Sequence, residues 1–315
     1  MTILILALGL IVLLAGGDML VRGAVAAARQ LGVSPLLVGL TLVGFGTSTP
    51  ELVTSLQAAA LGSPGIAVGN VVGSNIANIL LILGIAALIT PLACTRAALL
   101  RDGSVLALSA LACAGATLQG TIGGLSGLLF VIALIGYVVF TYVRERRVPD
   151  ASAGMHAEEG SLAEPGPRRL WLALLLAVSG IALTILGARL LVDSAIALAS
   201  AAGVSETVLG LTIVAVGTSL PELVTSVVAA LRRQADVAFG NIVGSNIYNV
   251  LGILGITALV QPIAVPPEIL RLDLWVMLLV TGVFLLFAWT GLRLTRLEAG
   301  IFLAGYAGYL AVLLT

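Results

Sequence analysis

Two ten-residue segments of this chain each occur twice, and both pairs lie 171 residues apart. GTSTPELVTS, from Gly46 to Ser55, is answered by GTSLPELVTS, from Gly217 to Ser226, with nine of ten positions identical. GNVVGSNIAN, from Gly69 to Asn78, is answered by GNIVGSNIYN, from Gly240 to Asn249, with eight of ten. The same offset pairs Gly32 with Gly203 and Pro91 with Pro262. A gapless match over about 75 residues means that the chain is built from two copies of one half. Copies of this size are domain halves, not the short stacked units of a solenoid.

The halves belong in lipid. The chain is 60% hydrophobic and 10% charged, against roughly half and a quarter for soluble domains. A membrane-spanning helix needs about 20 mostly apolar residues. Runs of that kind fall at 2 to 21, 33 to 60, 66 to 90, 97 to 118 and 124 to 143, then at 170 to 192, 205 to 231, 236 to 260, 270 to 290 and 296 to 315. The polar stretch between the sets, 144 to 169, has the composition of a connecting loop. Five spans per copy is an odd number, so the second copy enters the membrane upside down. The expected fold is therefore an all-α integral membrane protein, with ten transmembrane helices arranged as two inverted five-helix repeats. Residues 1–143 form the first repeat, with its motif at 39–85; 144–169 form the loop; 170–315 form the second repeat, with its motif at 210–256.

All 15 basic residues are arginines, and 13 of them follow odd-numbered spans; only Arg189 and Arg271 follow even ones. Excess arginine marks the cytoplasmic side. Both termini are thus expected outside and the 144–169 loop in the cytoplasm. The first apolar run lacks a basic leader and a small-residue cleavage pattern, which argues against a removed signal peptide.

Inverted repeats are common in secondary transporters, whose binding site lies at mid-membrane on the repeat interface. The repeated segments have the chemistry for one. In Gly46-Thr47-Ser48-Thr49-Pro50-Glu51, proline lacks an N–H, so a helix arriving from Val33 should break near Thr47 and restart with Pro50 at its first position. The second copy repeats this around Ala215, Thr218, Pro221 and Glu222, so helices 2 and 7 are both expected to be broken. Carbonyls freed near Gly44 and Thr47 carry the negative end of a half-helix and suit a cation. Asn70, Ser74 and Asn78 are spaced i, i+4, i+8 and form one polar stripe; Asn241, Ser245 and Asn249 repeat it. Gly69 and Gly73, with Gly240 and Gly244, permit close helix approach. At about 1.5 Å of rise per residue, Glu51 and Ser74 reach similar depth, and the inverted copy brings Glu222 and Ser245 to the same place.

A lone carboxylate at the bilayer centre costs at least about 2.5 to 3.5 kcal/mol. Two of them at mid-depth need a compensating cation. An all-oxygen set suits calcium or alkali ions and not zinc or copper. Two negative charges match one Ca2+ or two Na+.

With these motifs in view, both blocks resemble the α-repeats of the sodium/calcium exchangers, within the cation/calcium exchanger superfamily. The resemblance covers the two repeats, about half of the chain, and implies ten helices, an external N-terminus and calcium export driven by sodium entry. It implies calcium ligation by Glu51 and Glu222, shared with sodium, and by the carbonyls of Thr47 and Thr218. It implies sodium ligation by Ser48, Ser219, Ser74 and Ser245, with the carbonyls of Gly44 and Ala215. Asn78 and Asn249 complete the set; Asn249 stands where some potassium-dependent members carry an aspartate, which argues against potassium co-transport. Proton-coupled branches tend to GNA-x-E in place of GTS-x-PE, which favours sodium, with Ca2+/H+ antiport on the same site as the alternative.

Other polar and charged positions have structural explanations. Asn70, Asn75, Asn241 and Asn246 read as interhelical hydrogen bonding alone. Asp18, beside Arg22, reads as an interfacial charge, and so do Asp193, Arg189 and Asp102. His156 reads as solvated surface, and Cys94 and Cys113 as small packing residues. A formal net charge of zero gives no sign of a nucleic-acid partner. No enzyme and no cofactor is expected: an intramembrane hydrolase would need aspartate motifs that are missing. The partners are metal-ion substrates, Ca2+ and Na+, and the lipid bilayer; the oligomeric state is left open and a monomer suffices. The absence of lysine and the wealth of alanine, glycine and leucine suggest a GC-rich prokaryote, hence a cell (inner) membrane.

Overall fold

The computed structural model describes residues 2–61, 64–147, 167, 169–201 and 215–313. Eight of its helices are long and apolar enough to cross a membrane, and a bent pair makes a ninth crossing if counted as one span. The first half holds α1 (Thr2–Leu31), α2 (Pro35–Thr47), α3 (Thr49–Ala60), α4 (Gly65–Ile89), α5 (Arg96–Thr117) and α6 (Gly124–Arg147). The second holds α7 (Leu170–Ala201), α8 (Ala215–Thr218), α9 (Leu220–Leu231), α10 (Ala235–Val260), α11 (Ile269–Gly291) and α12 (Arg296–Leu313). The expected span at 205 to 231 is described only from Ala215 onward, and Gly203, His156 and most of the 144–169 loop lie outside the described residues.

The molecule is inside out relative to a soluble bundle. Leu4 and Ile11 on α1, Leu129 and Ile135 on α6, and Leu279 and Leu286 on α11 are exposed and form a lipid-facing surface. Polar side chains collect at the centre instead. Every residue of α10 from Val237 to Ile247 is buried, including Asn241, Ser245 and Asn246.

Helices α1 and α7 pack together over most of their length through glycines spaced seven apart. A Cβ at Gly9 would lie 2.8 Å from Leu191 N, and one at Gly16 2.5 Å from Thr184 N; Gly180 and Gly187 face the backbone of Leu20 and Leu13 in return. Such backbone contact lets α1 continue past the expected end of its apolar run to Leu31, and α7 likewise continues to Ala201. Asp18 is accommodated on α1 by ion pairs with Arg22, at 3.7 Å, and with Arg232 at the end of α9.

Two departures from the sequence reading are physical. Among the described residues the regular structure is helical apart from four two-residue strands, β1 (Leu92–Ala93), β2 (Thr121–Ile122), β3 (Ile263–Ala264) and β4 (Arg293–Leu294). β1 pairs antiparallel with β4 and β2 with β3, with Leu92 opposite Leu294 and Thr121 opposite Ala264. Each pair joins one copy to the other, where connecting segments meet and satisfy each other's backbone groups. Asp102, expected as an interfacial charge beside solvent, is instead fully buried in the protein: Arg101 donates to both its oxygens at 2.7 and 2.9 Å and the Tyr137 hydroxyl donates at 2.9 Å.

Candidate functional site

The central helices carry the repeated motifs, and both copies break at the same residue. Ser48 has φ −82° and ψ 9°, and Ser219 has φ −90° and ψ 7°, between the helical and extended regions. The chain bends by 43° between α2 and α3. The second half-helices restart at Thr49 and Leu220, one residue earlier than expected. Pro50 and Pro221 therefore occupy the second helical position, whose N–H has no intrahelical acceptor and is not missed.

Glu51 and Glu222 lie in the first turns of α3 and α9, each only 1% exposed. The copies exchange hydroxyls across them. Ser48 Oγ donates to Glu222 Oε1 at 2.7 Å, and Ser219 Oγ donates to Glu51 Oε1 at 3.2 Å. The second oxygen of each carboxyl, Oε2, is buried with no hydrogen-bond partner. Asn78 and Asn249 each leave a buried, unpartnered Oδ1. They sit on widened π-helical turns, Asn78–Leu83 in α4 and Tyr248–Leu254 in α10. These turns pack crosswise: the one carrying Asn78 lies on the Glu222 helix α9, and the one carrying Asn249 lies on the Glu51 helix α3.

The remaining sequence candidates lie on the helices that carry the two motifs. Ser245 Oγ donates to the Gly44 carbonyl at 3.2 Å, tying α10 to α2. The Thr47 hydroxyl lies 3.1 Å from Val43 O and 3.2 Å from Asn241 Oδ1, and is fully buried. Ser74 is buried on α4. Ala215 begins α8 and Thr218 ends it, immediately before the Ser219 break. Gly240 and Gly244 let α10 approach α2, as a Cβ at Gly240 would lie 2.6 Å from Leu36 O. Gly73 has no described atom within 4 Å of where its Cβ would lie; positions 207 and 211, which correspond by the repeat offset to Leu36 and Leu40, lie outside the described residues.

Asn70 and Asn241 join helices as expected, and the helices they join carry the two acids. Asn70 Nδ2 donates to the Glu51 carbonyl at 3.1 Å and to Ser55 Oγ at 3.0 Å. Asn241 Nδ2 donates to the Glu222 carbonyl at 3.3 Å and to Ser226 Oγ at 2.8 Å. Each amide thus fixes the backbone of the acid in its own copy, and the equal spacing of 19 residues in both copies is the signal that marks the pair.

Buried carboxyl and amide oxygens without partners are expensive unless something binds them. The donors gathered here are oxygens from two carboxylates, two amides, hydroxyls and a carbonyl, which is hard-cation chemistry. Among the described residues no group of three or more His, Cys, Asp or Glu side chains is placed to hold a metal ion.

The protein family described as sodium/calcium exchanger protein matches residues 1–143 and 172–315. The putative antiporter CaxA of Alkalimonas amylolytica is 36% identical over 304 residues, covering 96% of this chain and 95% of that protein. The sodium/calcium exchanger MaX1 of Methanosarcina acetivorans is 34% identical over 344 residues, covering 98% and 97%. Among solved structures, the sodium-calcium exchanger NCX_Mj soaked with Na+ and Ca2+ superposes with a TM-score of 0.84 at 31% identity, covering 98% of this chain and 97% of that one.

Proposed function

Because the chain belongs to the sodium/calcium exchanger protein family, we propose that it is a secondary antiporter exchanging Ca2+ for Na+ by alternating access. One Ca2+ binds between Glu51 and Glu222, whose two negative charges it neutralises. The Thr47 and Thr218 carbonyls and the amide oxygens of Asn78 and Asn249 complete its shell. Sodium takes the same acids together with Ser48, Ser219, Ser74, Ser245 and the Gly44 and Ala215 carbonyls. Ser245 Oγ and Gly44 O lie 3.2 Å apart, close enough to share one ion. The chain forms ten spans as two inverted repeats, 1–143 and 170–315, with both termini outside and the 144–169 loop in the cytoplasm. The cell (inner) membrane is its setting, and an inner membrane protein of Escherichia coli is 35% identical over 96% of the chain.

The observation that carries this reading is the crossed pair of buried glutamates, each held by the other copy's serine and each with one bare oxygen. In proteoliposomes, calcium uptake should require an opposing sodium gradient and vanish in Glu51→Gln. Uptake that persists in that variant contradicts the site. A second reading couples calcium to protons, since a proton on each bare carboxyl oxygen would also neutralise the pair. Uptake driven by a pH gradient in sodium-free buffer would favour it.

A further inference from the structure

Four buried asparagines lie where the copies meet: Asn75 and Asn246 are repeat mates, and so are Asn78 and Asn249. Their hydrogen bonds do not match. Asn75 Nδ2 donates to the main-chain oxygen of Asn246 at 3.3 Å and points at Met277 Sδ at 3.8 Å. Both of those groups only accept, so the Asn75 amide can be turned only one way round. Its Oδ1 accepts from Asn249 Nδ2 at 2.9 Å. This occupies the donor end of Asn249 and leaves its Oδ1 as the bare one. The mate of that bond, from Asn78 Nδ2 to Asn246 Oδ1, is not made. Asn246 Oδ1 has no partner, its Nδ2 donates instead to Ile242 O on its own helix at 2.7 Å, and Asn78 Oδ1 is bare as well.

The two ends of an asparagine amide have almost the same size and opposite polarity. Packing alone therefore cannot decide which end meets a cation; a hydrogen bond to the other end can. We propose that Asn75 is a positioning residue that turns Asn249 so that its oxygen faces the transported ion, and that Asn246 does the same for Asn78 when the transporter faces the opposite side. Alternating access moves one inverted half against the other around a fixed site, and on this proposal the two amide relays change places as it does. A relay closed in one copy and open in the other is what either end state of such an exchange would contain. The inference rests on the proposed reading of Asn78 and Asn249 as ligands and of the halves as inverted.

The test is tracer exchange of radioactive calcium by the full-length protein in proteoliposomes, with KM and kcat measured separately from each face. Asn249→Leu should raise the calcium KM. Asn75→Leu should raise it about fivefold from one face, the scale of one lost hydrogen bond, and leave kcat within about twofold. In an Asn249→Leu background, Asn75→Leu should add nothing, because it acts through the residue already removed. Asn246→Leu should show its effect from the opposite face. If Asn249→Leu leaves KM unchanged, the ligand reading fails and this inference with it. If Asn249→Leu raises KM while Asn75→Leu does not, or if the two effects add, Asn75 only packs and this inference alone fails. Equal effects of Asn75→Leu at both faces would overturn the alternation. Should Asn75→Leu not fold, Asn75→Ser, too short to reach Asn249, carries the same comparison.

Discussion

Ser48 shows how one residue can serve both copies. It is the point where its own helix breaks, and its hydroxyl is the donor that holds the other copy's acid, Glu222 Oε1, at 2.7 Å. Hydrogen bonds to charged groups contribute about 1.5 to 3 kcal/mol, and each 1.4 kcal/mol is about tenfold in affinity. Ser48→Ala loses that donor and also an oxygen proposed for sodium, so the sodium concentration for half-maximal exchange should rise about tenfold. Ser109→Ala removes a buried hydroxyl that bonds only within its own helix, to Leu106 O, and should leave it unchanged. Sodium-dependence curves of calcium uptake for the two variants check this. Glu51 and Glu222 were legible in the sequence because each is an isolated charge in an apolar run. Asn70 and Asn241 were legible as interhelical hydrogen bonders, but that the backbones they hold are those of the two acids was not, because an amide's partner depends on which helix stands opposite. The burial of Asp102 was not legible for a related reason: Tyr137, which hydrogen-bonds it, comes from another helix.

At the scale of elements, helix breaks are written locally and helix contacts are not. Proline and glycine placed the breaks to within a residue, since they act on the backbone where they stand. The widened turns at Asn78 and Tyr248 left no mark in the polar spacing, and the pairing of α1 with α7 depends on glycines that look ordinary in an apolar run. Gly16→Leu would drive a side chain into the backbone of Thr184. Overpacking of this kind costs about 1 to 3 kcal/mol and sometimes more, so the purified variant should lose its monodisperse size-exclusion peak at a lower temperature than the wild type. Gly282→Ala is the control: nothing lies within 4 Å of the position its Cβ would take, and its melting profile should not move.

For the whole molecule, the fixed offset between the copies was the most informative part of the sequence, because it carries both motifs and the second set of spans. Paired strands join the copies at two places, β1 with β4 and β2 with β3, a link that short connecting segments do not announce. The arginine distribution makes a separate claim about orientation. With both native cysteines replaced by alanine, a cysteine introduced at Ala151 should react with a membrane-impermeant reagent only from the cytoplasmic side; labelling from outside would reverse the assigned topology.

In the proposed exchange two acids, one from each copy, share a single calcium ion that sodium displaces. Equilibrium binding of radioactive calcium to the purified protein measures this directly. One Ca2+ per chain should bind, be released by Na+ with a Hill coefficient above one, and be lost in Glu51→Gln and in Glu222→Gln alike. Calcium binding that survives either single substitution, or that sodium does not displace, would contradict it.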